Sequence, residues 1–200
     1  MSPRPALIAA MLALCAWVHA DRLINIPTGK KLPFNEVRAE FVFGGKPSHV
    51  QGYLGTGIGL QFDAELIYER FSPNPAFVSF NFAYNYVTPV TDLSPGVSVG
   101  VRDAMNRTAD GRAFYIAATF RIATDTNAPA ELTLGGGTQS LRGFFVGAML
   151  PLTEKVRLLG EHDSLRWTAG FEVRPFRGLF LRTLFRQDRT QFSVGYAVRF

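Results

Sequence analysis

His49 and His162 are the side chains of this 200-residue chain best suited to moving a proton near neutral pH. His162 stands between Glu161 and Asp163, and a carboxylate beside an imidazole can orient it for general-base chemistry. Adjacent residues on a strand point to opposite faces, so this triplet is expected to be a polar hairpin tip and not a preformed dyad. His49 lies next to Ser48 in a glycine-rich stretch. Gly135-Gly136-Gly137 and the glycines from Gly52 to Gly59 would suit phosphate loops, but neither run leads into Lys-Ser/Thr and a helix. Asp103, Asn106 and Asp110 in DAMNRTADG offer oxygens to a hard cation, yet at a spacing that fits no calcium loop. No catalytic residue, cofactor or metal is therefore expected.

The elements that would position such groups have an unusual composition. Apolar residues make up 47%, charged residues 18%, and Phe occurs 18 times. After residue 20 no stretch approaches the ~18 uninterrupted apolar residues that a membrane helix needs. Residues 1–20 read as a secretory leader: Arg4, an apolar run from Ala6 to Trp17, and Val18-His19-Ala20 as a cleavage site. The single cysteine, Cys15, falls inside it and is preceded by Leu14, which is wrong for lipoprotein processing. Cleavage after Ala20 would leave a mature chain without disulfides. The net charge of +5 is small and scattered, so nucleic acid is not an expected partner.

Residues 21–35 carry Pro27 and Pro33 and no clear period, and read as an N-terminal arm. From residue 36 to 200 the signal is alternation at period two. Phe62, Ala64, Leu66 and Tyr68 alternate with Asp63, Glu65 and Ile67; Phe80, Phe82 and Tyr84 with Asn81 and Ala83; Phe192, Val194, Tyr196, Val198 and Phe200 with Ser193, Gly195, Ala197 and Arg199. Strands are predicted near 36–43, 58–69, 76–87, 96–103, 112–122, 141–150, 155–161, 165–174, 179–186 and 190–200. That gives an all-β, antiparallel, up-and-down transmembrane β-barrel of about ten strands. Eight follow if 155–161 pairs poorly, and twelve if Glu131–Leu134 adds a hairpin. Connections Gly44–Gly57 and Ala123–Ser140 read as long and Ser72–Pro75 and Pro151–Glu154 as short, the parity expected when the first strand starts from the periplasm, although His162–Ser164 and Gln187–Arg189 are short where that parity wants long ones.

Alternation alone does not say which face meets lipid. Three features favour the apolar one: the chain ends on Phe200 after alternating apolar residues, like the signal read by barrel-assembly machinery; aromatics gather at strand ends; and the opposite faces are charged. Phe62, Phe80, Phe82, Trp167, Phe171, Phe192 and Tyr196 are thus expected to face lipid. Glu40, Asp63, Glu65, Arg102, Arg121, Arg166, Glu172, Arg174, Arg182 and Arg199 are expected to form a lumen charge network, paired because an isolated buried charge is very costly. Acids concentrate on early strands and arginines on the last three, and closure sets the first strand beside the last.

Residues 95–122 (PGVSVGVRDAMNRTADGRAFYIAATFRI) and 165–200 (LRWTAGFEVRPFRGLFLRTLFRQDRTQFSVGYAVRF) resemble YjbH-type outer-membrane proteins. The likeness lies in the Gly-Val-Arg-Asp element before an aromatic strand and in Val-Arg-Pro-x-x-Gly-Leu before another. It implies a barrel linked to exopolysaccharide export and transfers no catalytic residue. The Asp-Asp and Asp-x-His elements of outer-membrane proteases and the His-Ser pair of lipid A deacylases are not recognisable.

The expectation is a small non-enzymatic barrel of the cell outer membrane with a charged, largely filled lumen. Its role would be structural or accessory in envelope or exopolysaccharide assembly. Its partners would be outer-membrane lipid, the assembly machinery and polysaccharide-export components. Two alternatives stand beside it: a membrane enzyme acting at external loops, and a soluble periplasmic β-protein binding an apolar ligand.

Overall fold

A computed structural model of the protein describes residues 22–45, 49–71, 75–87, 94–108, 111–126, 128–187 and 189–200. The expected leader, Ser48, Asp110 and most of the 72–75 turn lie outside them. Twelve strands follow one another: β1 (Glu36–Gly44), β2 (His49–Ile58), β3 (Phe62–Phe71), β4 (Phe77–Val87), β5 (Gly96–Arg102), β6 (Ala113–Ile122), β7 (Ala130–Gly137), β8 (Gly143–Pro151), β9 (Val156–His162), β10 (Trp167–Val173), β11 (Leu179–Arg186) and β12 (Arg189–Arg199). Each pairs antiparallel with its neighbours in sequence, and β1 pairs with β12 from Glu36↔Arg199 to Gly44↔Gln191, closing the barrel. The expected all-β up-and-down barrel is borne out at the upper end of its strand range.

Two strands were not among the ten. β2 occupies most of the stretch read as the loop Gly44–Gly57, and β7 extends the Glu131–Leu134 segment inside the stretch read as the longest loop. The parity of loop lengths falls with them. At the end where β1 starts, the connections are 59–61, 88–95, 123–129, 152–155 and 174–178; at the other they are 45–48, 72–76, 103–112, 138–142, 163–166 and 187–188. Neither end has consistently longer ones.

Period two sorts the side chains by face. Along β10, Trp167, Ala169, Phe171 and Val173 are exposed while Thr168, Gly170 and Glu172 are buried. Along β12, Phe192, Val194, Tyr196 and Val198 are outside and Gln191, Ser193, Gly195 and Ala197 inside. The core is the lumen itself. Large inward side chains there sit opposite glycines: Gly100↔Tyr115, Gly135↔Phe145, Gly170↔Leu184 and Gly195↔Phe180 are register pairs. A Cβ at Gly135 would stand 2.2 Å from the Phe145 ring, so the small member of the pair makes room for the large one.

Candidate functional site

The arm expected before β1 runs back inside the barrel. Phe34 bridges to Gly57, and the Leu32 N–H donates to Asp63 Oδ1 at 3.1 Å. Further in, Lys30 forms an ion pair with Glu131, the Gly29 N–H donates to Thr119 Oγ1 at 2.8 Å, and the Ser98 hydroxyl donates to the Thr28 carbonyl at 2.7 Å. At the far tip the arm turns over Ile24 and Asn25, closed by Leu23 N–H to Ile26 O at 3.0 Å and by an Arg22↔Pro27 bridge.

Two anchors hold that tip. Glu161 of β9 accepts the backbone N–H groups of Ile24 (3.1 Å), Asn25 (2.9 Å) and Ile26 (3.3 Å), with the Asn25 amide at 2.7 Å. Three consecutive amides around one carboxylate satisfy donors that a turn inside a barrel would otherwise leave bare. Arg22 is the second anchor. It reaches Glu40 at 2.7 Å, Glu65 at 3.1 Å and its own Ile24 carbonyl at 2.7 Å, with its guanidinium carbon 3.5 Å from the centre of the Tyr53 ring. Leu23, Ile24 and Ile26 pack with Ala117, Phe145, Met149, Leu159 and Leu184 in one buried cluster. The lumen is therefore half apolar and half ionic, and the arm contributes to both halves.

The ionic half continues around the wall. Glu40 also takes Arg182 (3.2 Å) and Arg38 (2.9 Å) and a hydrogen bond from Ser193. Arg182 links on to Glu172 at 2.8 Å, which takes Arg174 at 2.6 Å and Arg157 at 3.6 Å. Alternating signs let Glu40 and Glu172 meet three cations each, which offsets the desolvation of a buried ion.

Of the residues singled out for the lumen, Glu40, Asp63, Glu65, Glu172 and Arg182 are buried there. Arg102 reaches the Asn25 carbonyl at 3.1 Å, and Arg174 bonds Glu172 from just beyond β10. Arg121 is half-buried and lies across from Glu131 in the register. Arg166 and Arg199 stand apart: both are exposed at strand ends, where water can solvate the charge. Arg22, Lys30, Arg38, Glu131, Arg157 and Glu161 also belong to the network but were not singled out. Arg38 and Glu161 share the inward parity of their strands with Glu40 and Arg157, a signal already in the alternation; Arg22 has none, because the arm has no period. Phe62, Phe80, Phe82, Trp167, Phe171, Phe192 and Tyr196 are all on the outer wall, 37–60% exposed, and Phe200 is exposed at the end of the chain.

Glu161 and His162 take opposite faces, the latter packing outward against Trp167 with the rings tilted and their centres 4.7 Å apart. His49 points inward, with Nε2 at 2.8 Å from Glu69 Oε1 and Nδ1 at 3.4 Å from the Gln191 amide. Polar groups thus do converge on His49. Asp103 is occupied by Ser79, the Arg107 and Thr108 N–H groups and the Thr108 hydroxyl, so its carboxylate is engaged by its own loop, while Asp110 lies outside the described residues. Between arm and wall, bounded by Arg22, Asn25, Tyr53, Glu65, Asn81 and Arg102, lies a cavity of about 30 Å³. That is room for a water molecule or two, not for a sugar.

Fold and lumen define a class: a closed up-and-down β-barrel with an apolar outer wall and a charged, filled interior. Among solved structures the chain is similar to "KdgM porin in complex with disordered oligogalacturonate", with a TM-score of 0.53, 9% identity, and coverage of 82% of this chain and 99% of that one. At that identity the likeness is one of fold. No protein-family model matches the chain, and no curated protein matches it in sequence. The local likeness to YjbH-type proteins, which falls on β5–β6 and β10–β12, gains no support from these comparisons.

Proposed function

We propose that the protein is an exported, non-enzymatic β-barrel of the bacterial outer membrane, closed by its own N-terminal arm. The arm docked through Glu161 and Arg22 carries the reading, since an open channel would leave that space to water and solute. An apolar belt of Phe, Trp, Val and Leu around the whole wall is more than a soluble monomer exposes, and is what acyl chains would cover. It argues against a soluble periplasmic binder, whose faces would be reversed. The porin-like fold is compatible with saccharide passage if the arm leaves, and an accessory role in envelope or exopolysaccharide assembly is the corresponding physiological reading. In that scheme the 1–20 leader directs export and is removed, Phe200 is the handle for the assembly machinery, and lipid is the main partner.

The test is planar-bilayer conductance on the full mature chain and on a form lacking residues 22–32, with fractionation to place both. The full chain is expected in the outer-membrane fraction with little steady current, and the shortened form is expected to conduct. Steady porin-level current from the full chain would defeat the closed-lumen reading; recovery as soluble, folded protein would defeat the membrane one. His49 with Glu69 keeps an enzymatic reading in view. An activity at the external face abolished by His49→Asn would establish it.

A further inference from the structure

At the barrel end away from Glu36 and Arg199, every exposed charge among the described residues is an arginine: Arg70, Arg107, Arg112, Arg142 and Arg166. The described acids at that end are all engaged. Glu69 is held by His49 and Gln51, Asp103 by Ser79 and its own loop, Glu161 by the arm, and Asp163 by Arg186 and the N–H groups of Leu165 and Arg166. The other end is mixed, with Asp125 and Glu154 exposed beside Lys155, Arg177 and Arg199. The difference is one of sign and not of charge density.

The arginines are also spread in a regular way. They sit on four successive hairpins, β3–β4, β5–β6, β7–β8 and β9–β10, about two strand widths apart, or roughly 10 Å. A single small anion would touch one of them at a time. A chain of repeated anionic groups laid across the mouth would meet several, each guanidinium offering paired donors to carboxylate or phosphate. Just beneath the ring, Gln51 and Gln191 turn their amides into the lumen beside His49, neutral groups suited to hydroxyls.

We propose that this arginine-ringed mouth binds a polyanionic glycan, one carrying carboxylate or phosphate groups. The idea rests on the outer-membrane reading only for the mouth's facing outward; binding itself is a property of the folded chain. Arg70 and Arg112 flank positions on the outer wall and Arg107, Arg142 and Arg166 lie in or beside the connections, so the anions could belong to a free polymer or to the saccharide of the surrounding leaflet.

The test uses the purified full chain held in amphipol, so that failure of membrane targeting or of conductance does not bear on it. Probes are alginate (carboxylated), the phosphorylated core oligosaccharide of lipopolysaccharide, neutral dextran and a DNA oligonucleotide. Binding to alginate, the core oligosaccharide or both is expected, with none to dextran and weakening as salt rises. Alginate alone assigns a free carboxylated polymer, and the core oligosaccharide alone assigns the leaflet. The triple variant Arg107→Ser, Arg142→Ser, Arg166→Ser is expected to bind at least tenfold more weakly, while Lys155→Ser with Arg177→Ser at the opposite end binds as before. If the triple variant does not fold, removing each arginine singly serves the same comparison. Retention no better than dextran, undiminished binding by the arginine variants, or a preference for DNA would overturn the proposal.

Discussion

Gly57 lies directly against Leu32: a Cβ built on the glycine would stand 2.4 Å from the Leu32 carbonyl oxygen and 2.6 Å from that of Pro33. The wall of β2 is bare there because the arm's backbone passes. Gly147 of β8 plays the same part, with Leu23 and Ile26 within 2.6 Å of its absent Cβ. Gly57→Leu should therefore expel the arm and leave the strands paired. Limited trypsinolysis reads this out at Lys30, which docking buries in the lumen. Cleavage there is expected in the variant and not in the parent, and equal resistance in both would contradict the docked arm.

Arg22→Ala removes the cation shared by Glu40 and Glu65. Losing one member of a buried ionic cluster typically costs about 3–5 kcal/mol, because the remaining charges stay desolvated. Glu40 keeps Arg182 and Arg38, so the loss should fall on the arm and hardly on the barrel. Faster exchange of the Ile24–Ile26 amides, at unchanged heat-modifiable gel migration, is the expected result.

Phe82 is 47% exposed near the middle of β4. An arginine on the lipid face costs about 2–4 kcal/mol at the bilayer midplane. Phe82→Arg should reduce the folded, membrane-inserted fraction severely, while Ala83→Ser on the neighbouring position should not. Soluble and folded Phe82→Arg protein would place the outer wall in water.

The 103–112 connection should loosen in acid. Burial of Asp103 would raise its pKa, but hydrogen bonds from Ser79, from the Arg107 and Thr108 backbone and from the Thr108 hydroxyl outweigh it and hold the carboxyl below the usual 3.8. A group depressed on folding stabilises above its unfolded value and loses that contribution as pH falls through the folded one. The Arg107 and Thr108 amides are therefore expected to be protected at neutral pH and to lose protection only below 3.8. Asp103→Asn should show reduced protection throughout.

The sequence makes the class of fold plain where a strand has one greasy and one polar face, as β10 and β12 do. It hides β2 and β7 because their inward positions carry glycine: Gly55 and Gly57 face the arm, and Gly135 and Gly137 face Phe145 and Leu141. Glycine on a strand reads as a turn until the group that fills the space above it is known. The charge network is half legible for the same reason. Glu40, Glu172 and Arg182 follow from parity, but Arg22 and Lys30 lie in a segment without a period, and their partners are fixed only once the barrel closes around them.

Because the arm is continuous with β1, it behaves as a tethered ligand of its own container. Short tethers give effective concentrations of about millimolar or more, so an arm that slips out is recaptured far faster than a free peptide would return. A molecule competing for the same interior must match that local excess, whatever its affinity in dilute solution. Dilution, which strips an ordinary inhibitor from its receptor, would have no effect on this one.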